Sequence, residues 1–128
     1  LRVDRELLCM AVLFVVVIAV YFAFEHMVIN LRPVLMPGET VPEPSYPSTH
    51  TMLSVCILVP ASAYFGKHIK LSAIRIPAVV ICLAVASVTV VCRLLSGAHW
   101  FTDIIGGLLI SGTLVSAYFG MTYILSKN

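Results

Sequence analysis

Four long apolar segments separate the few charged residues of this chain. They lie at Leu7–Phe24, Thr51–Phe65, Ile76–Leu95 and Ile104–Leu125. A helix that crosses a bilayer needs about 20 mostly apolar residues, and the first, third and fourth segments meet that length. The second segment does so if its helix begins near Ser48 and continues through Gly66. We therefore predict an all-α integral membrane protein, a helical bundle with four transmembrane helices.

The composition excludes other classes of protein. The chain is 60% hydrophobic and 11% charged, which is too little polar surface for a soluble domain of 128 residues. A net charge of +2 without a basic run gives no basis for nucleic-acid binding. Cys9, Cys56 and Cys82 are surrounded by apolar residues, Cys92 adjoins Arg93, and no pair has zinc-finger spacing, so we expect no metal site and no cofactor.

The connector Leu31–Pro47 is the one long loop. It holds five of the seven prolines, and proline removes a backbone donor and interrupts helices. Pro60 lies within the second apolar segment, where we expect it to bend the helix rather than end it, since neighbouring helices can satisfy freed backbone groups. In the fourth segment, small residues recur at Gly112, Ser116 and Gly120, a spacing that lets membrane helices pack closely.

The basic residues are distributed unevenly between the two faces of a four-span arrangement. Six of the eight fall on one face: Arg2, Arg5, Lys67, Lys70, Arg75 and Lys127. The positive-inside rule makes that face cytoplasmic. Arg32 and Arg93 fall on the opposite, outer face, together with three histidines and most of the acidic residues. These two arginines need an explanation other than topology.

Three short stretches meet at this outer face because the topology places them there. They are "LRP" at residues 31–33, "YPSTH" at 46–50 and "CRLLSGAHWFTD" at 92–103. His99 and Asp103 are four residues apart, which on a helix puts them on one face. The carboxylate can accept the proton of one imidazole nitrogen and leave the other as a base or nucleophile, while His50 can act as a general acid.

The same face offers groups that bind phosphate. Arg32 and Arg93 carry forked donors that match phosphate oxygens. Ser48 and the backbone N–H groups at the start of the second helix add further donors, since helix N-termini attract anions. Taken singly, each residue has a simpler explanation, such as an interfacial arginine, a helix cap, or Trp100 as a membrane anchor. Taken together, they favour a site for phosphoryl transfer without a metal.

The order of these residues resembles a known family. The matching elements are Arg32-Pro33, then Pro47-Ser48-Thr49-His50, then Arg93-x5-His99-x3-Asp103. This ordered triple resembles the type-2 phosphatidic acid phosphatase family, membrane lipid phosphatases related to vanadium haloperoxidases. The resemblance spans roughly Glu25 to the C-terminus.

The resemblance implies a mechanism. His99 would attack phosphorus and form a phosphohistidine, Asp103 would orient His99 and stabilise its charge, and His50 would protonate the leaving oxygen. Water would then release phosphate. The residues that would hold the phosphate are Arg32, Arg93, Ser48 and the backbone around Thr49.

The chain departs from the family pattern at several positions. Glu25 stands where the family usually has a lysine, seven residues before the arginine, and so replaces a cation with an anion. Cys92 and Thr49 stand where a serine and a glycine are usual. Relatives commonly have six spans, and the four here resemble the last four. We expect residues 1–128 to be a single membrane phosphatase domain, with two N-terminal helices of the family core lying outside it.

Three hypotheses follow. The first is a metal-independent lipid phosphatase acting on phosphatidylglycerophosphate, phosphatidate or a polyprenyl pyrophosphate such as undecaprenyl pyrophosphate. The second is a lipid phosphotransferase that uses the same residues with an alcohol as acceptor. The third is a non-catalytic relative that binds anionic lipid, for which Glu25 is the main support. We expect a bacterial plasma membrane protein with its site facing outside, and the sequence leaves the oligomeric state open.

Overall fold

The computed structural model describes residues 4–127. Within that range the secondary structure is helical, with four α-helices: α1 Arg5–Glu25, α2 Thr49–His68, α3 Ser72–Leu95 and α4 Phe101–Lys127. Each helix is long and apolar enough to cross a membrane. The predicted fold class is therefore confirmed, and each helix extends the predicted apolar segment by a few residues.

Helix ends follow the local chemistry of the sequence. Asp4 caps α1, because its side chain accepts a hydrogen bond of 2.9 Å from the Glu6 backbone N–H. α2 continues through the buried Pro60 to His68, as predicted for a proline packed among neighbouring helices. Gly97, with φ of +66°, makes the turn between α3 and α4, where a residue with a side chain would be strained.

α2 is the central helix of the bundle. It packs against α1, α3 and α4, and α1 also packs against α4. The buried core lies where α1, α2 and α4 meet, and its members are Cys9, Leu13, Val17, Met52, Cys56, Val115 and Tyr118. Large apolar side chains cover the outside of the helices, including Val15, Val80 and Leu109. Because lipid tails are as apolar as these side chains, close packing rather than the hydrophobic effect holds such helices together.

Small residues of α4 pack closely, but not those singled out from the sequence. Among residues 4–127, a Cβ added at Gly112 or Gly120 would have no neighbour within 4 Å, so the predicted close packing at these two glycines is wrong for this part of the chain. The close approach occurs one turn before, where a Cβ on Gly107 would lie 3.0 Å from the backbone oxygen of Ser48. A Cβ on Gly106 would lie 2.4 Å from the Tyr46 ring. These two glycines bring α4 against the segment that precedes α2.

The two ends of the bundle are chemically distinct. At one end, Arg5 donates to the Leu125 carbonyl at 2.9 Å, and Lys67 contacts Glu6. These contacts join the start of α1 to the ends of α2 and α4, as the four-span topology requires. The predicted cationic face is this end. Of the six basic residues assigned to it, Arg2 lies outside the described residues.

The connection between α1 and α2 covers the opposite end. Its two legs run antiparallel: the Arg32 N–H donates to the Glu43 carbonyl at 3.0 Å, and the Ser45 N–H donates to the Asn30 carbonyl at 2.8 Å. Gly38, with φ of +92°, lies in the turn between the legs. The loop predicted at residues 31–47 is therefore ordered by backbone pairing, and it places residues 43–47 over the start of α4.

Candidate active site

His99 is the buried centre of the site. It lies two residues before α4, and only 6% of its surface is exposed. Its Nδ1 is 3.1 Å from the Ser45 carbonyl oxygen. A carbonyl can only accept, so Nδ1 carries the proton and Nε2 keeps its lone pair. Nε2 is buried and has no hydrogen-bond partner among residues 4–127.

A cavity of about 230 Å³ lies against His99. It is lined mainly by the α1–α2 connection and the adjoining helix ends. Its polar lining includes Arg32, Thr49, Glu25 and Glu43. The cavity is therefore lined by an imidazole side chain and a guanidinium side chain, a combination suited to an anionic ligand.

Asp103 is fully buried in the first turn of α4, with every carboxylate contact made by an N–H donor. Its Oδ1 accepts from the Asn30 amide at 2.9 Å, and its Oδ2 accepts from the Trp100 backbone N–H at 3.0 Å. Oδ2 lies 3.7 Å from His99 Nδ1, which is electrostatic contact but longer than a hydrogen bond. The helical i, i+4 argument therefore needs adjustment: His99 precedes α4, and its Nδ1–H points to the Ser45 carbonyl.

The pKa of His99 is lowered from its ordinary value. Burial is the main cause, because it disfavours the charged imidazolium. The hydrogen bond to Ser45 and the Asp103 carboxylate oppose the effect, whereas Arg93 and Arg32 add to it. His99 is consequently neutral at neutral pH, the state that a nucleophilic imidazole requires.

His50 and Arg93 form a pair across two helices. His50 lies in the first turn of α2 and Arg93 in the last turn of α3, and the Arg93 guanidinium is hydrogen-bonded to His50 Nδ1. Since arginine has no acceptor, Nδ1 of His50 accepts and the proton of the neutral ring lies on Nε2. The His50 side chain is exposed, and neither His50 nor Arg93 is among the residues that line the cavity.

Arg32 is held between a carboxylate and the cavity. Its side chain is 18% exposed, and Nη2 lies 3.5 Å from the Glu43 carboxylate. Its Nε is buried without a hydrogen-bond partner in the described part of the chain. Arg32 therefore retains a donor that a bound anion could use.

The two predicted phosphate-binding residues at the start of α2 are placed differently from each other. Ser48 is fully buried: its N–H donates to the Asp103 carbonyl at 3.0 Å, and its hydroxyl accepts from Thr51 at 3.1 Å. Its backbone N–H thus already serves the junction of α2 with α4, whereas its hydroxyl lies against Thr51 in the first turn of α2. Thr49 lines the cavity, together with Pro47.

Sequence reasoning missed two residues that hold the imidazole and its neighbour. Ser45 provides the carbonyl that accepts the His99 proton, and Asn30 donates to Asp103. Both lie in the irregular connection, where no helical or strand period marks a position. The one sequence feature that could have indicated a role for Asn30 is its position two residues before Arg32.

The comparison with protein families gives one match. The family model described as the PAP2 superfamily matches residues 6–126, nearly the whole chain. The chain belongs to the PAP2 superfamily. This PAP2 protein matches no curated protein and no solved structure. Membership agrees with the suspected type-2 phosphatidic acid phosphatase family, and supports a phosphatase-type function on lipid or other phosphoester substrates at a membrane.

Proposed function

We propose that this protein is a membrane lipid phosphatase that works through a phosphohistidine on Nε2 of His99. The observation that carries the proposal is the buried Nε2 lone pair of His99, which has no partner among residues 4–127, on a side chain that lines a cavity together with Arg32. A neutral imidazole fixed by a carbonyl at Nδ1 is a competent nucleophile.

The first half of the reaction transfers the phosphoryl group to the enzyme. Nε2 of His99 attacks phosphorus, and the bond from phosphorus to the leaving oxygen breaks. Once Arg93 has turned to the phosphate and Nδ1 of His50 has taken up a proton from solvent, the His50 imidazolium supplies the proton that the leaving oxygen takes up. The imidazole gains positive charge while it keeps its Nδ1 proton, and the Asp103 carboxylate at 3.7 Å stabilises that charge.

The second half returns the enzyme to its starting state. A water molecule gives up a proton to His50 and attacks phosphorus, and the bond from phosphorus to Nε2 breaks. Inorganic phosphate leaves, and His99 is neutral again. Because His50 gives one proton and receives one, the cycle balances without a metal or a cofactor.

Arginines and backbone donors hold the phosphate in this proposal. Arg32 offers its unpartnered Nε, and the Arg93 guanidinium turns from His50 to the phosphate when substrate binds. That movement also frees Nδ1 of His50. Thr49 at the first turn of α2 adds its backbone N–H and the positive end of the helix dipole. Ser48 contributes through its backbone, which fixes this turn against Asp103.

A lipid substrate suits the position of the cavity. The site lies at one end of a bundle whose helices are coated with apolar side chains, so it lies at the depth of lipid head groups. The positive-inside argument places this end outside the membrane, which we propose is a bacterial plasma membrane. Phosphatidylglycerophosphate, phosphatidate and a polyprenyl pyrophosphate such as undecaprenyl pyrophosphate are the substrates to compare.

The test is phosphate release in detergent, with a chelator present, from a panel of these lipids. His99→Ala should lower release by at least about 10⁴-fold, since only binding and charge stabilisation remain after a nucleophile is removed. His26→Ala is the matched control: His26 lies at the same end of the bundle but contacts the Phe22 carbonyl, not the cavity. Equal release from wild type and His99→Ala would overturn the proposal.

The same detergent-solubilised protein can be used to test two alternative functions. A lipid phosphotransferase would form a new phosphate ester when an alcohol is added, at the expense of free phosphate. A non-catalytic relative that binds anionic lipid is favoured by Glu25, which lines the cavity where a cation is usual in the suspected family. Lipid binding without any phosphate release would support that alternative.

A further inference from the structure

Asn30 makes more contacts around the buried imidazole than its place in an irregular loop suggests. Its side-chain amide donates to Asp103 Oδ1 at 2.9 Å and lies 3.4 Å from the Thr102 hydroxyl. Its backbone carbonyl accepts the Ser45 N–H at 2.8 Å. One residue of the α1–α2 connection is thereby bonded to both α4 and the other leg of the loop.

These two contacts converge on the same atom of His99. Nδ1 faces two acceptors, the Ser45 carbonyl at 3.1 Å and the Asp103 carboxylate at 3.7 Å. Asn30 holds the first acceptor through its backbone and the second through its side chain. The positions of these two acceptors decide which one accepts the Nδ1–H hydrogen bond, and this in turn sets the direction of Nε2.

We propose that Asn30 is a positioning residue that keeps the Nδ1–H of His99 on the Ser45 carbonyl instead of the Asp103 carboxylate, and so fixes the direction of Nε2. The proposal rests on the proposed function only for its kinetic consequence. The hydrogen bond of Nδ1 is a property of the resting protein and can be measured whether or not the protein is an enzyme.

The physical reason is the hydrogen-bond requirement of a buried carboxylate. Asp103 is fully buried, and Oδ1 receives its bond from Asn30. If that donor is removed, a buried charged oxygen lacks a partner, which is costly. The nearest replacement donor for the carboxylate is the Nδ1–H of His99. The carboxylate and the imidazole would then move together, the bond to Ser45 would break, and the direction of Nε2 would change.

Trp100 provides a matched control. Its indole Nε1–H donates to the Leu31 carbonyl at 2.8 Å, so it ties the same loop to the same end of α4. Trp100→Phe removes this tie and leaves the Trp100 backbone N–H on Asp103 in place. A loss that is caused only by a loosened loop should therefore appear in Trp100→Phe as well as in Asn30→Ala.

The first measurement is the hydrogen bond of Nδ1. Imidazole ¹⁵N shifts of protein labelled at histidine report the tautomer and the strength of the Nδ1–H bond, and the His99→Ala spectrum assigns the His99 signals. We expect the Nδ1–H tautomer in every variant, with the wild-type Nδ1 shift in Trp100→Phe and a shift towards a stronger bond to the carboxylate in Asn30→Ala. An Asn30→Ala spectrum identical to that of wild type would overturn the inference.

The second measurement is kinetic. In Asn30→Ala we expect kcat to fall by roughly tenfold to a hundredfold, the range found when partners that orient metal-bound histidines are removed, with KM nearly unchanged. Trp100→Phe should lower thermal stability with little change in kcat. An equal loss of kcat in both variants would mean that Asn30 only supports the loop. An inactive wild type would overturn the proposed phosphatase. The ¹⁵N shift of His99 Nδ1 would still show whether Asn30 positions the imidazole.

Asn30→Asp keeps the shape of the side chain and covers the case in which Asn30→Ala does not fold. A protonated carboxyl at this position can donate to Asp103 as the amide does, whereas an ionised one repels it. The activity of Asn30→Asp relative to wild type should therefore rise as the pH falls. A ratio that does not change with pH would contradict a role that depends on this donor.

Discussion

Both ends of the bundle carry charged or polar side chains, but these differ in burial and in hydrogen bonding. At the end away from the cavity, Glu6 contacts Lys67 and lies 3.0 Å from His68, and these side chains are partly or largely exposed. At the cavity end, Arg32 Nε and His99 Nε2 are buried without hydrogen-bond partners in the part of the chain that the structure describes.

This difference separates structural charges from functional ones. Exposed ion pairs contribute little to stability, because water screens them and long side chains lose freedom. Buried polar atoms without partners cost free energy, so folded proteins keep few of them unless something else satisfies them. A bound phosphate could accept a hydrogen bond from Arg32 Nε, which is a donor. Equivalent substitutions at the two ends should therefore have unequal effects on activity.

The largest expected contrast is between the two cationic side chains. Arg32→Ala should lower kcat/KM by about a hundredfold to a thousandfold, the loss typical of removing a donor that stabilises transition-state charge. Lys67→Ala should leave kcat/KM within about twofold, since exposed charge pairs couple weakly. Steady-state phosphate release from detergent-solubilised protein measures both. Similar losses in the two variants would mean that net charge, rather than the cavity, governs activity.

The next contrast is between two glycines of α4. A Cβ on Gly107 would lie 3.0 Å from the Ser48 backbone oxygen, whereas one on Gly112 would meet nothing within 4 Å. Gly107→Ala should therefore destabilise the protein by about 1–3 kcal/mol, as overpacking does, and should lower activity because Ser48 adjoins Asp103. Gly112→Ala should be neutral or slightly stabilising, because alanine favours a helix over glycine. Thermal unfolding and phosphate release check both variants, and equal effects would contradict the close approach.

The four spans and their loops could be predicted because apolar length and proline are local properties of the sequence. The site could be predicted only in part. Topology alone brings Arg32, His50 and His99 to one end, and the structure agrees with that placement. The partners of the imidazole could not be predicted, because Asn30 and Ser45 reach it through backbone pairing within an irregular loop. The tight glycine contacts also depend on which face of α4 turns inward, and periodicity did not reveal that face.

The pH dependence should show how burial acts on the site. The pKa of His99 lies below its ordinary value of 6.5, mainly because of burial, so the nucleophilic neutral form persists below that pH. The acidic limb of kcat/KM should therefore lie below pH 6.5 and fall about tenfold per pH unit beneath the lowered pKa. Since the unfolded chain takes up this proton first, stability should also decline as the pH falls from 6.5 through that pKa.

Two measurements check this pH dependence. A pH–rate profile gives the position of the acidic limb, and histidine NMR gives the pKa of His99 directly. An acidic limb above pH 6.5 would show that the Ser45 hydrogen bond and the Asp103 carboxylate, which raise the pKa of His99, outweigh burial. Arg93→Gln should move the pKa of His99 upward, because Arg93 is one of the groups that lower it. An unchanged pKa of His99 in Arg93→Gln would contradict a contribution from the Arg93 charge.

The smallest expected effect concerns Glu43, the carboxylate that is paired with Arg32. Glu43 lies 3.5 Å from the Arg32 guanidinium and is about half exposed, so a bound phosphate must compete with it. Glu43→Gln should therefore lower the inhibition constant for inorganic phosphate by up to about fivefold, which corresponds to the roughly 0.2–1 kcal/mol of an exposed ion pair. Glu6→Gln, at the other end, should leave that constant unchanged. Weaker phosphate binding in Glu43→Gln would mean that the carboxylate holds Arg32 in its binding position instead of competing for it.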